Sequence, residues 1–256
     1  MQWVIQSESF TQQRNTRPLL EAVKARNSIH VDVGIIPFEH TITGMENVAK
    51  DMPTIFYGTT LLVELVQHKR FHPGVFYEKE WFDPRYWIGK RDDYINEEQK
   101  VLTVQQLRES WVEEATFIKP VNPKLINGQV IEPCEIDHDR WVTEHMDLAS
   151  NELIVASPWA RIAREWRFFI IEGNVITGSS YKRDGCLIIR DPITCETQDA
   201  AIAAAKKWLP HNTIVMDLCQ LRTGEYKLLE FNCLNCSGWY NSDVLAIVDY
   251  LEFLYQ

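Results

Sequence analysis

The chain has 256 residues, 45% of them hydrophobic and 24% charged, with a formal net charge of −10. That size holds one large domain or two small ones, and the composition is that of a globular protein with an ample core. The acidic balance argues against general nucleic-acid binding, which needs a basic surface. No apolar run reaches the length of a membrane span, and Met1-Gln-Trp-Val-Ile-Gln lacks the pattern of a signal peptide, so a cytoplasmic location is expected.

The first elements alternate between strand and helix. Trp3-Val-Ile-Gln reads as a strand. A helix follows from Thr16 to Arg26, with Thr16 as its cap and Pro18 in its first turn. His30 to Pro37 is a second strand, closed by proline, and Thr54 to Gly58 a third. Thr59 then caps a helix over residues 61–68. Such alternation predicts a parallel α/β layer. His72-Pro-Gly74 breaks the rhythm. The polar stretch Gly89 to Lys100 is the expected linker, dividing the chain into residues 1–95 and 96–256.

The second part is richer in strands. Thr103 caps a helix running to Trp111. Residues 115–120 and 152–158 are strands that end at prolines. Residues 163–181 form a hairpin turning at Gly173-Asn174. An Ala-rich helix spans 197–208. The strand of residues 213–219 and the strand of residues 227–232 form a second hairpin around Arg222-Thr-Gly224-Glu225. An amphipathic helix closes the chain from Asn241. There is no internal repeat.

Chemistry-bearing residues concentrate in this second part. Glu230 and Asn232 alternate along an apolar strand and share a face, and Asp217 ends its hairpin partner. Two carboxylates and an amide oxygen are the hard donors that Mg²⁺ accepts; the alternative is the solvent face of an antiparallel sheet. Lys119, just before a proline, either snorkels from a strand end or presents a point charge to phosphate. Glu165 and Arg167 share a strand face. They form either a same-face ion pair or a ribose and oxyanion contact, with Lys182 and Arg183 adding positive charge nearby. Cys233-Leu-Asn-Cys236 is half a zinc site without its other half, so buried reduced thiols are expected there.

Taken in order, Phe117-Ile-Lys119-Pro, Glu165-Trp-Arg167-Phe-Phe-Ile, Gly178-Ser-Ser-Tyr181, Val215-Met-Asp217 and Glu230-Phe-Asn232 with Ser237-Gly238-Trp-Tyr240 resemble the ATP-grasp superfamily. More narrowly, the chain is similar to small ATP-grasp proteins of phage and bacterial genomes. Phe56-Tyr-Gly58-Thr-Thr resembles the domain that precedes ATP-grasp in such proteins. The resemblance implies an α/β (α+β) ATP-grasp fold behind a smaller N-terminal α/β domain, with ATP between two β-rich subdomains. It implies Lys119 on the phosphates and adenine side, Val155, Ala156 and Ser157 as the hinge whose backbone reads adenine, and Glu165 on ribose. Arg167 and Lys182 would face the transferring group, and Asp217, Glu230 and Asn232 would hold Mg²⁺. One departure is visible: between Lys119 and the hinge, Gly128 is the single glycine, so the usual glycine-rich lid is short or built differently.

The implied activity is ATP-dependent ligation of a carboxylate to an amine or thiol through an acyl phosphate. The carboxylate is a small molecule, an amino acid or a peptide, and the partner an amine nucleophile. No nucleic acid or membrane partner is expected, and the oligomeric state is left open. The alternatives are an ATP-grasp kinase that stops at a phosphoester, and a nucleotide-binding module without catalysis.

Overall fold

The computed structural model describes residues 1–7, 13–36, 38–87, 89–110, 112–121 and 125–256. Pro37 and Trp111, expected at the ends of a strand and a helix, lie outside the described residues. The first sheet contains β1 (Gln2–Gln6), β2 (Ile29–Ile36), β3 (Thr41–Thr43), β4 (Thr54–Tyr57) and β5 (Pro73–Gly74) in the order β3-β2-β1-β4-β5. Its pairings are parallel except that of β2 with β3, as the strand–helix alternation predicts. Helix α1 (Gln13–Ala25) connects β1 to β2, and α2 (Thr60–Val66) follows β4.

Helix α1 starts earlier than expected, which puts Thr16 and Pro18 inside it rather than at its cap and first turn. Proline breaks only one backbone bond there, so an amphipathic helix docked on a core tolerates it. Thr59 caps α2 as predicted, its hydroxyl accepting from the Leu62 N–H at 3.3 Å.

A short helix α3 (Pro84–Trp87) leads into the polar stretch expected to be a linker. That stretch is packed, not loose. Arg91, only 2% exposed, donates to the Ala204 and Trp208 carbonyls at 3.0 Å and pairs with Asp93 at 2.7 Å. Its charge is therefore fully satisfied, which is what lets a buried arginine stand. Ile95 N–H donates to the Leu228 carbonyl at 2.9 Å.

The second sheet contains β6 (Lys100–Thr103), β7 (Thr116–Pro120), β8 (Gln129–Ile131) and β9 (Leu153–Pro158), antiparallel in the order β6-β9-β7-β8. Helix α4 (Val104–Glu109) carries a full capping box between Thr103 and Gln106. The glycine-poor stretch between β7 and β9 forms β8 and α5 (Glu135–Glu144), an element the polar pattern of those residues concealed. Its single glycine serves packing: a Cβ on Gly128 would meet Phe117 Cζ at 2.5 Å.

The third sheet contains β10 (Ile162–Ile171), β11 (Asn174–Arg183), β12 (Cys186–Leu187), β13 (Ile214–Leu221) and β14 (Tyr226–Asn232), antiparallel in the order β12-β11-β10-β13-β14. The turn of the first hairpin falls one residue before the expected place. Glu172 and Gly173 both take positive φ, 50° and 75°, as a two-residue turn matching strand twist requires. Helix α6 (Cys195–Ala205) begins after its cap Thr194, upstream of the expected Thr197. Helix α7 (Val244–Leu254) is capped by Asp243.

Both faces of the third sheet are covered, which explains why β10 reads as a continuous apolar run. Trp166, Phe168 and Ile170 pack with Ala201 and Ala204 of α6. On the other face Phe169, Ile171 and Val215 share a core with Trp3, Ile5, Leu19 and Ile55 of the first layer and Ile247 and Leu251 of α7. Each such fully buried side chain contributes about 1.5–3 kcal/mol. The first layer and the third sheet are thus joined by one core, and that joint covers only part of the sheet face.

Candidate active site

The open part of that face is where charge appears. On β10 the apolar residues Ile171 and Phe169 give way, at the same two-residue period, to Arg167 and Glu165. Register then aligns the charges across strands: Arg167 lies opposite Asp217, and Asp217 opposite Glu230. Asn232 lies opposite Val215, one row nearer the core.

The row is tightly bonded. Arg167 donates through Nε and Nη2 to the two oxygens of Asp217 at 2.8 and 2.7 Å, and through Nη1 to the Gly238 carbonyl at 3.3 Å. Both side chains are buried. Burial disfavours the Arg167 charge, but Asp217 overrides it and raises the guanidinium further. Burial pushes the Asp217 carboxyl up, Arg167 pulls against it, and the nearby Glu230 and Glu165 add to the rise. The Asn232 amide donates to Asp217 Oδ2 at 3.2 Å and to Glu230 Oε1 at 3.1 Å, separating the two carboxylates.

Two lysines complete the cleft. Lys119 reaches across from β7 of the second sheet to Glu230 Oε2 at 3.4 Å. Lys182 lies 3.5 Å from Glu165 Oε2. Glu165 therefore pairs with Lys182, and Arg167 with Asp217; the same-face pairing of Glu165 with Arg167 does not occur.

Two aromatic residues that the spacing did not assign a role flank the arginine. β11 carries an extra residue at Tyr181 relative to β10, and such bulges re-aim side chains. Its ring stacks on Tyr240 at 5.0 Å, and both rings lie near the Arg167 guanidinium, at 5.7 and 5.2 Å. Burial pushes the Tyr181 phenol well above its ordinary value, with Asp217 and a Glu165 hydrogen bond adding to it. Tyr240 takes φ 52°, uncommon for so large a residue. Nothing in a period-2 pattern signals a bulge, so only Tyr181's place beside Lys182 pointed to it.

The expected hinge falls differently. Val155, Ala156 and Ser157 lie within β9, which is laddered to β6 on one side and β7 on the other. An interior strand spends its backbone donors and acceptors on both neighbours, so Val155 and Ala156 have none to offer a base. The Ser157 hydroxyl donates to Asn96 Oδ1 at 2.8 Å. Residues 159–161, after the strand, join the second sheet to the third.

The donor set suits a hard cation in part. Glu230 is partly exposed, and Asn232 beside it carries an amide oxygen. Two protein oxygens, completed by phosphates and water, form a set Mg²⁺ accepts. Asp217 fits less well, because both its oxygens are engaged by Arg167. Among the described residues no group of three or more His, Cys, Asp or Glu assembles a metal site by itself.

This two-sheet cleft with cations facing carboxylates is the architecture of an ATP-grasp domain. A family model of the ATP-grasp domain, the second family of its clade, matches residues 98–250, and the chain belongs to that family. Solved structures agree on the fold. The ATP-grasp ligase PsnB, complexed with its minimal precursor, superposes with a TM-score of 0.62 at 13% identity over 100% of this chain and 99% of that one. PsnB has also been solved with Mg and ADP. The macrocyclase MdnC from Microcystis aeruginosa, bound with the precursor peptide MdnA, gives 0.62 at 10% identity over 99% and 100%. D-cycloserine synthetase DcsG gives 0.63 at 13% identity over 100% and 99%. A comparison with curated protein sequences finds no match. No helix among the described residues is long and apolar enough to cross a membrane.

Proposed function

We propose that the chain is an ATP- and Mg²⁺-dependent ligase that joins the carboxylate of a small molecule or peptide to an amine through an acyl phosphate. The observation that carries this reading is the reach of Lys119 from one sheet to Glu230 on the other. It brings an exchangeable cation, a carboxylate and the Asn232 amide together above the buried Arg167–Asp217 pair. The kinship with a family whose solved neighbours include ligases acting on precursor peptides supports the substrate class.

The carboxylate substrate is a poor electrophile until an oxygen is phosphorylated. Catalysis is then mainly positioning of anions and neutralisation of charge. Lys119 and Lys182 give up weak, partly exposed carboxylate contacts for phosphate oxygens. Arg167 uses three of its five N–H groups on Asp217 and Gly238, which leaves two for a phosphoryl or acyl oxygen. Asp217 fixes the plane of that guanidinium. Glu230 and Asn232 hold the metal, which when bound neutralises phosphate charge. Glu165 takes the ribose. The backbone after β9, residues 159–161, reads the adenine edge in place of Val155 to Ser157.

The test is an ADP-release screen against pools of amino acids and peptides with paired amines, followed by product mass. A ligase releases ADP and phosphate only when carboxylate and amine are both present. ADP release with a stable phosphoester identifies a kinase, and Mg-ATP binding without turnover on any pool identifies a binding module; either result overturns the proposal.

A further inference from the structure

The paired thiols after β14 take no part in the cleft chemistry described above. Cys233 and Cys236 bracket a short 3₁₀ turn, Leu234–Cys236, in which the Cys236 N–H donates to the Cys233 carbonyl at 3.3 Å. The two side chains are unequal. Cys233 is 4% exposed, its thiol directed to the Phe76 carbonyl at 3.5 Å and Asn235 Oδ1 at 3.6 Å. Cys236 is half buried, and its sulfur accepts from the Thr60 hydroxyl at 3.9 Å. No His, Cys, Asp or Glu among the described residues completes a metal set with them. The remaining cysteines differ: Cys134, Cys186 and Cys195 are exposed, and Cys219 is buried on β13.

We infer that Cys233 and Cys236 are a redox-active dithiol that closes to an intramolecular disulfide on reaction with a low-molecular-weight disulfide. Their spacing and the turn between them keep both sulfurs on one short loop, with one reachable and the other close behind it. The Cys236 thiolate attacks one sulfur of the small disulfide, forming a mixed disulfide and expelling a thiolate. Cys233 then loses its proton and attacks the Cys236 sulfur, expelling the second thiolate. Two protein thiols are oxidised and one small disulfide is reduced to two thiols, so electrons and atoms balance. The Cys233 thiol holds Cys236 below its ordinary thiol value against burial, and the Thr60 hydroxyl assists. That favours Cys236 as the attacking group.

The experiment incubates the folded wild-type chain in glutathione buffers of rising oxidised fraction, quenches with acid, and maps the cysteines by peptide mass spectrometry. The expected result is loss of two hydrogens from the peptide holding Cys233 and Cys236, at an oxidised fraction that leaves Cys134, Cys186 and Cys195 free or merely glutathionylated. Dithiothreitol reverses it. Cys233→Ser is expected to stall as a glutathione adduct on Cys236. The inference is overturned if the wild-type peptide stays reduced, if it carries only adducts, or if its disulfide forms no more readily than in urea-unfolded protein. The wild-type measurement decides the matter even where the variant fails to fold.

Discussion

The cleft holds two kinds of ion pair with different physical roles. Arg167 and Asp217 are paired through both oxygens with their side chains 10% and 1% exposed, whereas Lys119 and Glu230 meet at a single 3.4 Å contact with 36% and 35% exposed. A buried bidentate pair is a fixture: neither member leaves without stranding the other's charge in low dielectric. A partly exposed lysine pair contributes about 0–1 kcal/mol, so its members are free to trade partners. Structural and exchangeable charge thus lie side by side, and the exchangeable part is where a triphosphate would be met.

The largest effect is expected from removing one member of the fixture. Asp217→Ala should cost about 3–5 kcal/mol in urea unfolding, because Arg167 is left uncompensated. Arg167→Met combined with Asp217→Leu should recover much of that loss, since an apolar pair of similar volume replaces the ions. A double variant no more stable than Asp217→Ala would show that Arg167 is not the reason for the loss.

Glu230→Ala probes the exchangeable side. It should change unfolding stability by less than about 1 kcal/mol while removing the magnesium dependence of ATP affinity in calorimetry. Unaltered magnesium dependence would move the metal elsewhere. Lys119→Ala should weaken ATP binding about tenfold, or about 1.4 kcal/mol, with stability again nearly constant. An unchanged dissociation constant would return Lys119 to a snorkelling role. The smallest effect is a control far from the charges. Thr103→Ala removes the capping box of α4 and should cost about 1 kcal/mol of stability without altering ATP affinity.

Much of the architecture is legible from local pattern. Strand–helix alternation in the first layer, the two hairpins of the third sheet and the caps Thr59 and Thr103 are set by period, turn residues and side-chain capping. Boundaries differ from expectation where packing overrides a local signal, as at Pro18 inside α1 and at Thr194 in place of Thr197. Helix α5 is hidden because its residues are mostly polar, and the stretch around Arg91 resembles a linker because its charges are satisfied only by carbonyls distant in the chain.

Which residues share a face follows from the chain alone: Glu165 with Arg167, and Glu230 with Asn232, because side chains on a strand alternate with period two whatever surrounds them. The family is legible at the same level, through the order of those strands. Which charge meets which is instead a product of long-range packing. Cross-strand register sets Arg167 against Asp217 and not Glu165, an extra residue in β11 turns Tyr181 toward the arginine, and a second sheet carries Lys119 to Glu230. The same packing makes Val155 and Ala156 interior to β9, since a strand's two neighbours are chosen by distant segments. Register and neighbour choice depend on contacts between residues far apart in the chain, and a local pattern holds no record of them.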